Sequence, residues 1–263
     1  MTAPHAYFIA GTDTGIGKTF ATALLLRTAH LAGLRAVGMK PVAAGVDAHG
    51  SNKGQNEDVQ ALIAASNVAM SDALRADVNP FLYQAAVSPH IAAREEGRPV
   101  DLAVIAAARQ RLAAQADVLL VEGVGGWRAP LSDTLDSADL ACALQTPPLP
   151  VILVVGLRLG CLNHALLTAE AIAARGLPLA GWLGNAIDPA MQRQADNVQY
   201  LQTQLQQGFS APCLGLLPHA PEIADLPGQA DQADAARDAP HALDALAQRL
   251  LPSLRLPWLA ARA

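Results

Sequence analysis

The segment Gly11–Thr19, which reads GTDTGIGKT, constrains the fold more than any other part of the sequence. It follows an apolar stretch, Tyr7–Ala10, and precedes a predicted helix that begins at Lys18. Backbone N–H groups of such a glycine-rich loop can face phosphate oxygens, and the N-terminus of the following helix adds partial positive charge. We therefore expect Lys18 to reach the β- and γ-phosphates of a nucleotide, and the hydroxyl of Thr19 to bind Mg²⁺.

The loop is one residue longer than the usual phosphate-binding pattern. Five residues separate Gly11 from Gly17, whereas the pattern G-x-x-x-x-G-K-[ST] has four. A plain glycine turn with an exposed lysine is the alternative. Because a strand, the loop and a helix follow one another in the required order, we favour a nucleotide-binding loop.

The rest of the chain alternates short apolar runs with longer helical segments. Continuous apolar runs are typical of strands that are buried on both faces of a parallel sheet. The predicted strands are Tyr7–Ala10, Ala36–Met39, Val118–Val121, Val151–Val155, Leu179–Leu183 and Cys213–Leu216. The predicted helices are Lys18–Ala32, Asp58–Ala65, Leu102–Ala114, Asn163–Arg175, Met191–Gln206 and Ala242–Leu250, with Gly33, Gly176 and Gly208 as terminating glycines.

This alternation predicts an α/β fold of the P-loop NTPase type, in which a doubly wound, mostly parallel sheet carries helices on both faces. We expect residues 1–263 to form one domain, in which the tail 226–263 supplies a loop and a C-terminal helix. Two polar stretches are predicted to be loops. Ala44–Asn56 is expected to be mobile, and Pro218–Pro240 is expected to lead into the last helix.

Composition excludes several classes of protein. A chain of 263 residues with 52% hydrophobic residues has enough apolar side chains for a core, so it is not a disordered chain. The net charge of −5 argues against a nucleic-acid-binding surface. No apolar run approaches the roughly 20 residues of a membrane span, and the N-terminus lacks the basic start of a signal peptide. The three cysteines and seven histidines show no zinc-binding spacing. We expect a cytoplasmic protein.

Charged residues follow two of the predicted strands, at the edge where ligands bind in open α/β sheets. Glu122, directly after Leu119–Val121, resembles a Walker-B-type acid that helps to hold Mg²⁺; an acid that caps a loop is the alternative. Lys40, directly after a buried strand, is placed to act as a fixed positive charge; a lysine that reaches out to the rim is the alternative.

Two further features accompany these charged residues. Asp58 is a second candidate metal ligand, although its spacing alone favours a helix N-cap or an acid in the first turn of a helix. Gly123, Gly125 and Gly126 would let the backbone approach a ligand closely, or would form a tight turn.

Six segments together resemble the dethiobiotin synthetase family, the ATP-dependent enzymes of the biotin pathway. The segments are GTDTGIGKT at Gly11–Thr19, MKPVAAG at Met39–Gly45, SPHIAAREEGRP at Ser88–Pro99, LLVEGVGGWRAPLSD at Leu119–Asp133, PVILVVGLRLGCLNHALLT at Pro150–Thr168 and LAGWLGN at Leu179–Asn185. They cover the chain in the family's order as far as Pro218. The family's phosphate loop carries the same extra residue.

The resemblance implies the reaction of diaminopelargonic acid, CO₂ and ATP to dethiobiotin, ADP and phosphate, through a carbamate and a carbamic–phosphoric anhydride. It implies Mg²⁺ as cofactor, ATP as co-substrate and a homodimer without nucleic-acid or membrane partners. It implies Lys18 and Lys40 as the catalytic residues and Thr19, Asp58 and Glu122 as the Mg²⁺ ligands. In the family, the stretch equivalent to Gly160–Asn163 binds the substrate carboxylate from the other subunit.

The same resemblance implies the remaining contacts. The expected nucleotide-binding residues are Gly15, Ile16, Gly17, Lys18, Thr19, Phe20, Asp58, Glu122, Gly123 and Gly125, with Asn185, Leu217, Pro218 and His219 around the adenine. The expected substrate-binding residues are Thr14, Lys40, Ala44, Gly160, Cys161 and Asn163. Three positions depart from the family: Ala44 stands where serine is common, Gly15 where glutamate is frequent, and His219 where a tryptophan occurs in related sequences.

Two rival functions fit the same fold. An amidotransferase of the cobyrinic acid type usually has an additional glutamine-hydrolysing domain, for which this chain leaves little room. A partition-type ATPase switch carries an additional lysine early in the phosphate loop, where this chain has Thr12, Asp13 and Thr14.

Overall fold

The computed structural model describes residues 4–47, 53–146, 149–220 and 235–260. Within them the strands are β1 His5–Gly11, β2 Ala36–Met39, β3 Val42–Ala44, β4 Phe81–Tyr83, β5 Val118–Glu122, β6 Val151–Gly156, β7 Leu179–Asn185 and β8 Cys213–Leu217. Six strands form one parallel sheet in the order β2–β5–β1–β6–β7–β8, and β3 pairs with β4 in a separate parallel pair.

Helices connect the strands. They are α1 Lys18–Leu31, α2 Glu57–Ala65, α3 Asp72–Val78, α4 Pro89–Glu95, α5 Leu102–Ala113, α6 Ser137–Ala143, α7 Cys161–Ala174, α8 Gln194–Phe209, α9 Ala235–Leu250 and α10 Pro257–Ala260, with a 3₁₀ turn at Leu251–Ser253. Across the residues that the structure describes, no helix has the length and apolar character that a bilayer crossing requires.

The sheet lies between two layers of helices because its strands are apolar on both faces. Every residue of β2, β5 and β6 is buried. On one face Phe8 packs in a cluster with Ile172 of α7, and on the other face Ile9 packs in a cluster with Leu24 of α1. Consecutive residues of one strand therefore contribute to opposite halves of the core, as expected when side chains alternate across a sheet.

The predicted strands and helices are all present, with shifted ends. Each strand end lies within two residues of its predicted position, whereas the last helix begins at Ala235 rather than Ala242. Gly33 and Gly176 adopt positive φ values after their helices, as predicted. The prediction for Gly208 was wrong, because Gly208 lies inside α8, and the residue that follows this helix, Ser210, has a φ of 54°. Within the two predicted loops, residues 48–52 and 221–234 lie outside the described residues.

The C-terminal residues complete the α1 side of the core. Arg27 of α1 donates from Nη2 to Oδ2 of Asp244 in α9 at 2.8 Å. Trp258 of α10 is 1% exposed, and its ring centroid lies 5.4 Å from that of Tyr7 in β1. Asp244 and Trp258 therefore join α9 and α10 to α1 and to the strand that leads into the phosphate loop.

We expect Trp258→Ala to lower the free energy of unfolding by about 3–5 kcal/mol, because a large buried ring is removed and leaves a cavity. Urea unfolding followed by circular dichroism measures this change. The control is Val104→Ala on α5, where the side chain is 46% exposed and a change within about 0.5 kcal/mol is expected. A Trp258→Ala protein as stable as this control would show that α10 contributes nothing to the core.

Candidate active site

The phosphate loop follows β1 and leads into α1 at the carboxyl edge of the sheet. Gly15 and Gly17 have φ values of 71° and 77°, which favour glycine. Nζ of Lys18 donates to the Asp13 carbonyl oxygen at 2.9 Å, inside the loop itself.

Two contacts fasten the loop to the other half of the sheet. Nδ2 of Asn185, at the end of β7, donates to the Ile16 carbonyl oxygen at 2.9 Å. Nη2 of Arg158, after β6, lies 2.7 Å from Oδ2 of Asp13. The loop conformation therefore depends on residues far away in the sequence.

The strand register brings Lys40 and Glu122 together. Met39 of β2 pairs with Val121 of β5, so that the residues following them lie side by side at the same edge. Nζ of Lys40 donates to Oε1 of Glu122 at 2.6 Å and to Oδ2 of Asp58 at 2.8 Å. Lys40 is 3% exposed and Glu122 is 0% exposed, so the lysine lies inside the protein and not at its rim.

Thr19 completes this group of four residues, which we call the Lys40 cluster: Thr19, Lys40, Asp58 and Glu122. Oγ1 of Thr19 lies 2.7 Å from Oδ1 of Asp58 and 2.8 Å from Oε1 of Glu122. Asn56 caps α2, since its side chain accepts from the Val59 N–H, and the carboxylate of Asp58 is directed into the cluster.

The two lysines of the site have opposite pKa shifts. Burial alone would lower the pKa of Lys40, but the carboxylates of Glu122 and Asp58 outweigh it and raise that pKa. Burial and the nearby charge of Lys40 lower the pKa of Lys18 to about 8, although Glu122, Asp58 and Asp13 act against this shift. Burial would raise the pKa of Asp58, yet Lys40 and the Thr19 hydroxyl keep it lowered.

The oxygen atoms of the Lys40 cluster fit a hard divalent cation. Oε2 of Glu122 is buried and has no hydrogen-bond partner among the described residues. With the Asp58 carboxylate and the Thr19 hydroxyl it offers the oxygen ligands that Mg²⁺ prefers. Nowhere in the described ranges do three His, Cys, Asp or Glu residues form a metal group. Mg²⁺ would therefore take further ligands from water and phosphate, as is usual for this ion.

A cavity of about 900 Å³ lies over the phosphate loop. It brings together eleven of the residues expected from the sequence: Thr14, Gly15, Gly17, Lys18, Thr19, Phe20, Lys40, Ala44, Asp58, Glu122 and Gly125. Its wall also contains residues that were not predicted as site residues: Glu57, Ala61, Ala86, Val87, Ser88, Pro89, Val124 and Ala129. Of these, Ser88 and Pro89 begin the SPHIAAREEGRP segment, which was the only signal that could have found them.

The other expected residues do not line this cavity. Ile16 is buried in the core, and Gly123 packs closely against Phe8 and Ser137. Asn185, Leu217, Pro218 and His219 lie at the ends of β7 and β8, where Nδ1 of His219 is 3.1 Å from the Ala186 carbonyl oxygen. Gly160, Cys161 and Asn163 lie at the start of α7, where Gly160 and Asn163 are exposed.

Comparison with protein families and with curated sequences gives consistent matches. Residues 5–226 match a family described as an AAA domain. The chain is 54% identical over 219 residues to the ATP-dependent dethiobiotin synthetase BioD of Aromatoleum aromaticum, and the match covers 83% of this chain and 92% of that protein.

Solved structures support the fold class. A ParA family ATPase from Chlorobium tepidum TLS matches with a TM-score of 0.51 at 11% identity, covering 92% of this chain and 99% of that one. The septum site-determining protein MinD complexed with Mg-ADP from Pyrococcus horikoshii OT3 matches with a TM-score of 0.50 at 15% identity, covering 93% and 96%. At these identities the likeness concerns the fold alone, and the predicted P-loop NTPase-type fold is confirmed.

The lowered pKa of Lys18 predicts a pH-dependent stability. Because the folded protein binds this proton less tightly than the unfolded chain does, the charge of Lys18 destabilises the fold below pH about 8. That effect disappears as the pH rises towards 10.5, the ordinary pKa of lysine. At pH 7 we expect nucleotide-free Lys18→Met to be more stable than the parent by about 1–3 kcal/mol, and the gain to shrink by pH 10.

Urea unfolding of both proteins at pH 7 and pH 10 measures this difference. Lys53→Met, at an exposed lysine, is the control, for which a change within about 0.5 kcal/mol is expected at either pH. A Lys18→Met protein that is less stable than the parent at pH 7 would contradict the prediction.

Proposed function

The chain belongs to the dethiobiotin synthetase family of ATP-dependent ligases that form C–N bonds in biotin synthesis, and we propose that the cavity over its phosphate loop is where the reaction takes place. The substrates are diaminopelargonic acid, CO₂ and ATP, and the products are dethiobiotin, ADP and phosphate. The observation that carries this assignment is the Lys40 ammonium, buried beside the phosphate loop and in contact with two carboxylates.

The reaction proceeds in three steps. One amine of the substrate takes up CO₂ as a carbamate, and a carbamate oxygen then attacks the γ-phosphorus of ATP and releases ADP. The product is a carbamic–phosphoric anhydride. The neighbouring amine attacks the carbonyl carbon of this anhydride, expels phosphate and closes the cyclic urea. These steps require positioned reactants and neutralised charge more than covalent help from the protein.

The phosphate loop and Lys18 bind the triphosphate. The loop supplies N–H donors ahead of α1, and the buried Lys18 lines the cavity. Thr19, Asp58 and Glu122 would hold Mg²⁺, which would neutralise phosphate charge. The low pKa of Lys18 supports this role, because an anion beside it would restore favourable surroundings for the ammonium group.

Lys40 stabilises the carbamate and the charge that develops during its attack. Its side chain lines the same cavity as Lys18, so both lysines can face one substrate. The raised pKa keeps its ammonium group charged at neutral pH. Thr14 and Ala44 line the part of the cavity that we assign to the diamine, where the alanine offers no hydroxyl group.

The adenine lies beyond the phosphate loop, towards the ends of β7 and β8. Asn185, Leu217, Pro218 and His219 surround it at this edge of the sheet. The position of Asn185 supports the assignment, since its amide already contacts the loop at Ile16.

The enzyme acts as a homodimer in which Gly160–Asn163 of each copy serves the other copy's site. Two observations support this. These residues do not line the cavity of their own chain, and Leu159 beside them is 92% exposed. Leu167, further along α7, is exposed as well. A second copy of this chain that covers both leucines would bring the N-terminus of α7 towards a neighbouring cavity.

We also propose that residues 1–263 form a single domain and that the enzyme works in the cytoplasm with small-molecule substrates. The packing of α9 and α10 against α1 and β1 supports the single domain.

The proposed reaction predicts phosphate release that depends on the diamine. With MgATP, bicarbonate and diaminopelargonic acid, we expect dethiobiotin, identified by mass spectrometry, to match the phosphate released. Lys40→Ala should lower kcat by about a hundredfold or more, because it removes a preorganised positive charge. Arg35→Ala, an exposed residue just before β2 at the opposite edge of the sheet, is the control and should keep parental kcat.

Two results would contradict the proposal. ATP hydrolysis that the diamine leaves unchanged would favour the ATPase switch. Near-parental turnover by a folded Lys40→Ala protein would exclude its catalytic role.

The proposed dimer predicts that a charge just before α7 separates the subunits. Leu159→Glu should convert a dimer into a monomer, as measured by light scattering during size-exclusion chromatography, because it would bury an unpaired carboxylate. Val104→Glu, at an exposed apolar residue of α5, is the control and should remain dimeric. A Leu159→Glu protein that stays dimeric would show that the interface lies elsewhere.

A further inference from the structure

Lys40 contacts the oxygen atoms that the proposed Mg²⁺ site needs. Its Nζ lies 2.6 Å from Oε1 of Glu122 and 2.8 Å from Oδ2 of Asp58. The Thr19 hydroxyl lies against Oε1 of Glu122 and Oδ1 of Asp58. Of the four carboxylate oxygens in the Lys40 cluster, only Oε2 of Glu122 has no hydrogen-bond partner within the described ranges.

A cation in this position is required by the burial of Glu122, whereas the side chain of Asp58 is 38% exposed. Glu122 is fully buried, and an ionised carboxylate away from water is strongly unfavourable unless an opposite charge accompanies it. Lys40 supplies that charge. Its Nζ reaches both carboxylates, whereas Lys18 donates to the Asp13 carbonyl oxygen and to neither of them.

A divalent cation on these two carboxylates would compete with the Lys40 ammonium. Mg²⁺ binds oxygen at about 2.0–2.1 Å, so a cation on Asp58 and Glu122 would lie against an ammonium group that is bonded to the same carboxylates. The two positive charges would repel each other strongly in this buried place. The flexible four-carbon stem of lysine allows Nζ to move away while its backbone stays at the end of β2.

We propose that the Lys40 ammonium occupies the metal position of the nucleotide-free protein and leaves it for the substrate when the divalent cation binds. The second part of this inference, that Lys40 then contacts the substrate, rests on the proposed function. It implies an order of events: Lys40 becomes free to contact a carbamate only after the metal nucleotide is in place. An empty enzyme then holds the carbamate poorly, and the two ligands support each other's binding.

Metal binding without nucleotide tests this inference. The probe is Mn²⁺, whose free concentration is measured by electron paramagnetic resonance, with the parent protein, Lys40→Met and Lys18→Met. We expect Lys40→Met to bind Mn²⁺ at least about tenfold more tightly than the parent, because its carboxylates have lost their internal cation. Lys18→Met removes a charge of the same sign nearby but no contact to the carboxylates, so its gain should be clearly smaller.

Two outcomes would overturn the proposal. Lys40→Met that binds Mn²⁺ no more tightly than the parent would show that Lys40 does not compete with the metal. Equal gains in both variants would show that the total charge of the site matters and the position of Lys40 does not.

The folding of Lys40→Met provides a second measurement. If the variant does not fold without metal, Mg²⁺ at millimolar concentration should restore its circular dichroism spectrum, since the cation then replaces the missing ammonium group. Failure of Mg²⁺ to restore it would also overturn the proposal.

Product formation by the parent protein separates this inference from the proposed function. If the parent protein forms dethiobiotin but Lys40→Met binds Mn²⁺ no more tightly than the parent, the inference is overturned and the proposed function stands. If Lys40→Met binds Mn²⁺ more tightly but the parent protein forms no dethiobiotin, the proposed reaction is overturned and the inference about Lys40 is supported.

Discussion

The contact of one buried ammonium group with two carboxylates is the interaction on which the rest of the site depends. Lys40 and Glu122 come from strands that lie 82 positions apart in the chain, and they meet because β2 and β5 are neighbours in register. Both side chains are buried, and either charge without the other would be strongly unfavourable there. The sheet order therefore produces the charge pair, and Asp58 of α2 and Thr19 of α1 form hydrogen bonds with it.

The phosphate loop is held from the other half of the sheet. Asn185 and Arg158 fasten Ile16 and Asp13 to the regions after β7 and β6. The Lys40 cluster contacts the opposite end of the loop, at Thr19. Both halves of the doubly wound sheet thus contribute to the site, as expected where the strand order reverses around β1.

Much of the fold could be predicted from the sequence, and the reasons for the failures are local. The six central strands are continuous apolar runs, which give a strong signal, whereas β3 and β4 have three residues each and show no periodicity. Short helices such as α4 and α6 were missed for the same reason. Gly208 fails as a helix terminator because α8 continues to Phe209, beyond its predicted end, and Ser210 takes the left-handed conformation.

The candidate site was predictable in membership but not in its contacts. The loop pattern and the strand ends indicated Lys18, Lys40 and Glu122 individually. The pairing of β2 with β5, which brings Lys40 and Glu122 together, cannot be predicted from any local sequence pattern. The two lysines, which look alike in the sequence, differ in their contacts and in their pKa shifts. Lys18 donates to a backbone carbonyl oxygen and, among the described residues, to no carboxylate, so burial and the charge of Lys40 lower its pKa to about 8. An anion beside it would improve its surroundings. Lys40 already contacts two carboxylates, which raise its pKa. Under our proposal it contacts a substrate after a divalent cation has replaced it on those carboxylates. The two lysines of one cavity therefore have opposite electrostatic surroundings. Those of Lys18 favour the binding of an anion, whereas Lys40 is already neutralised by two carboxylates.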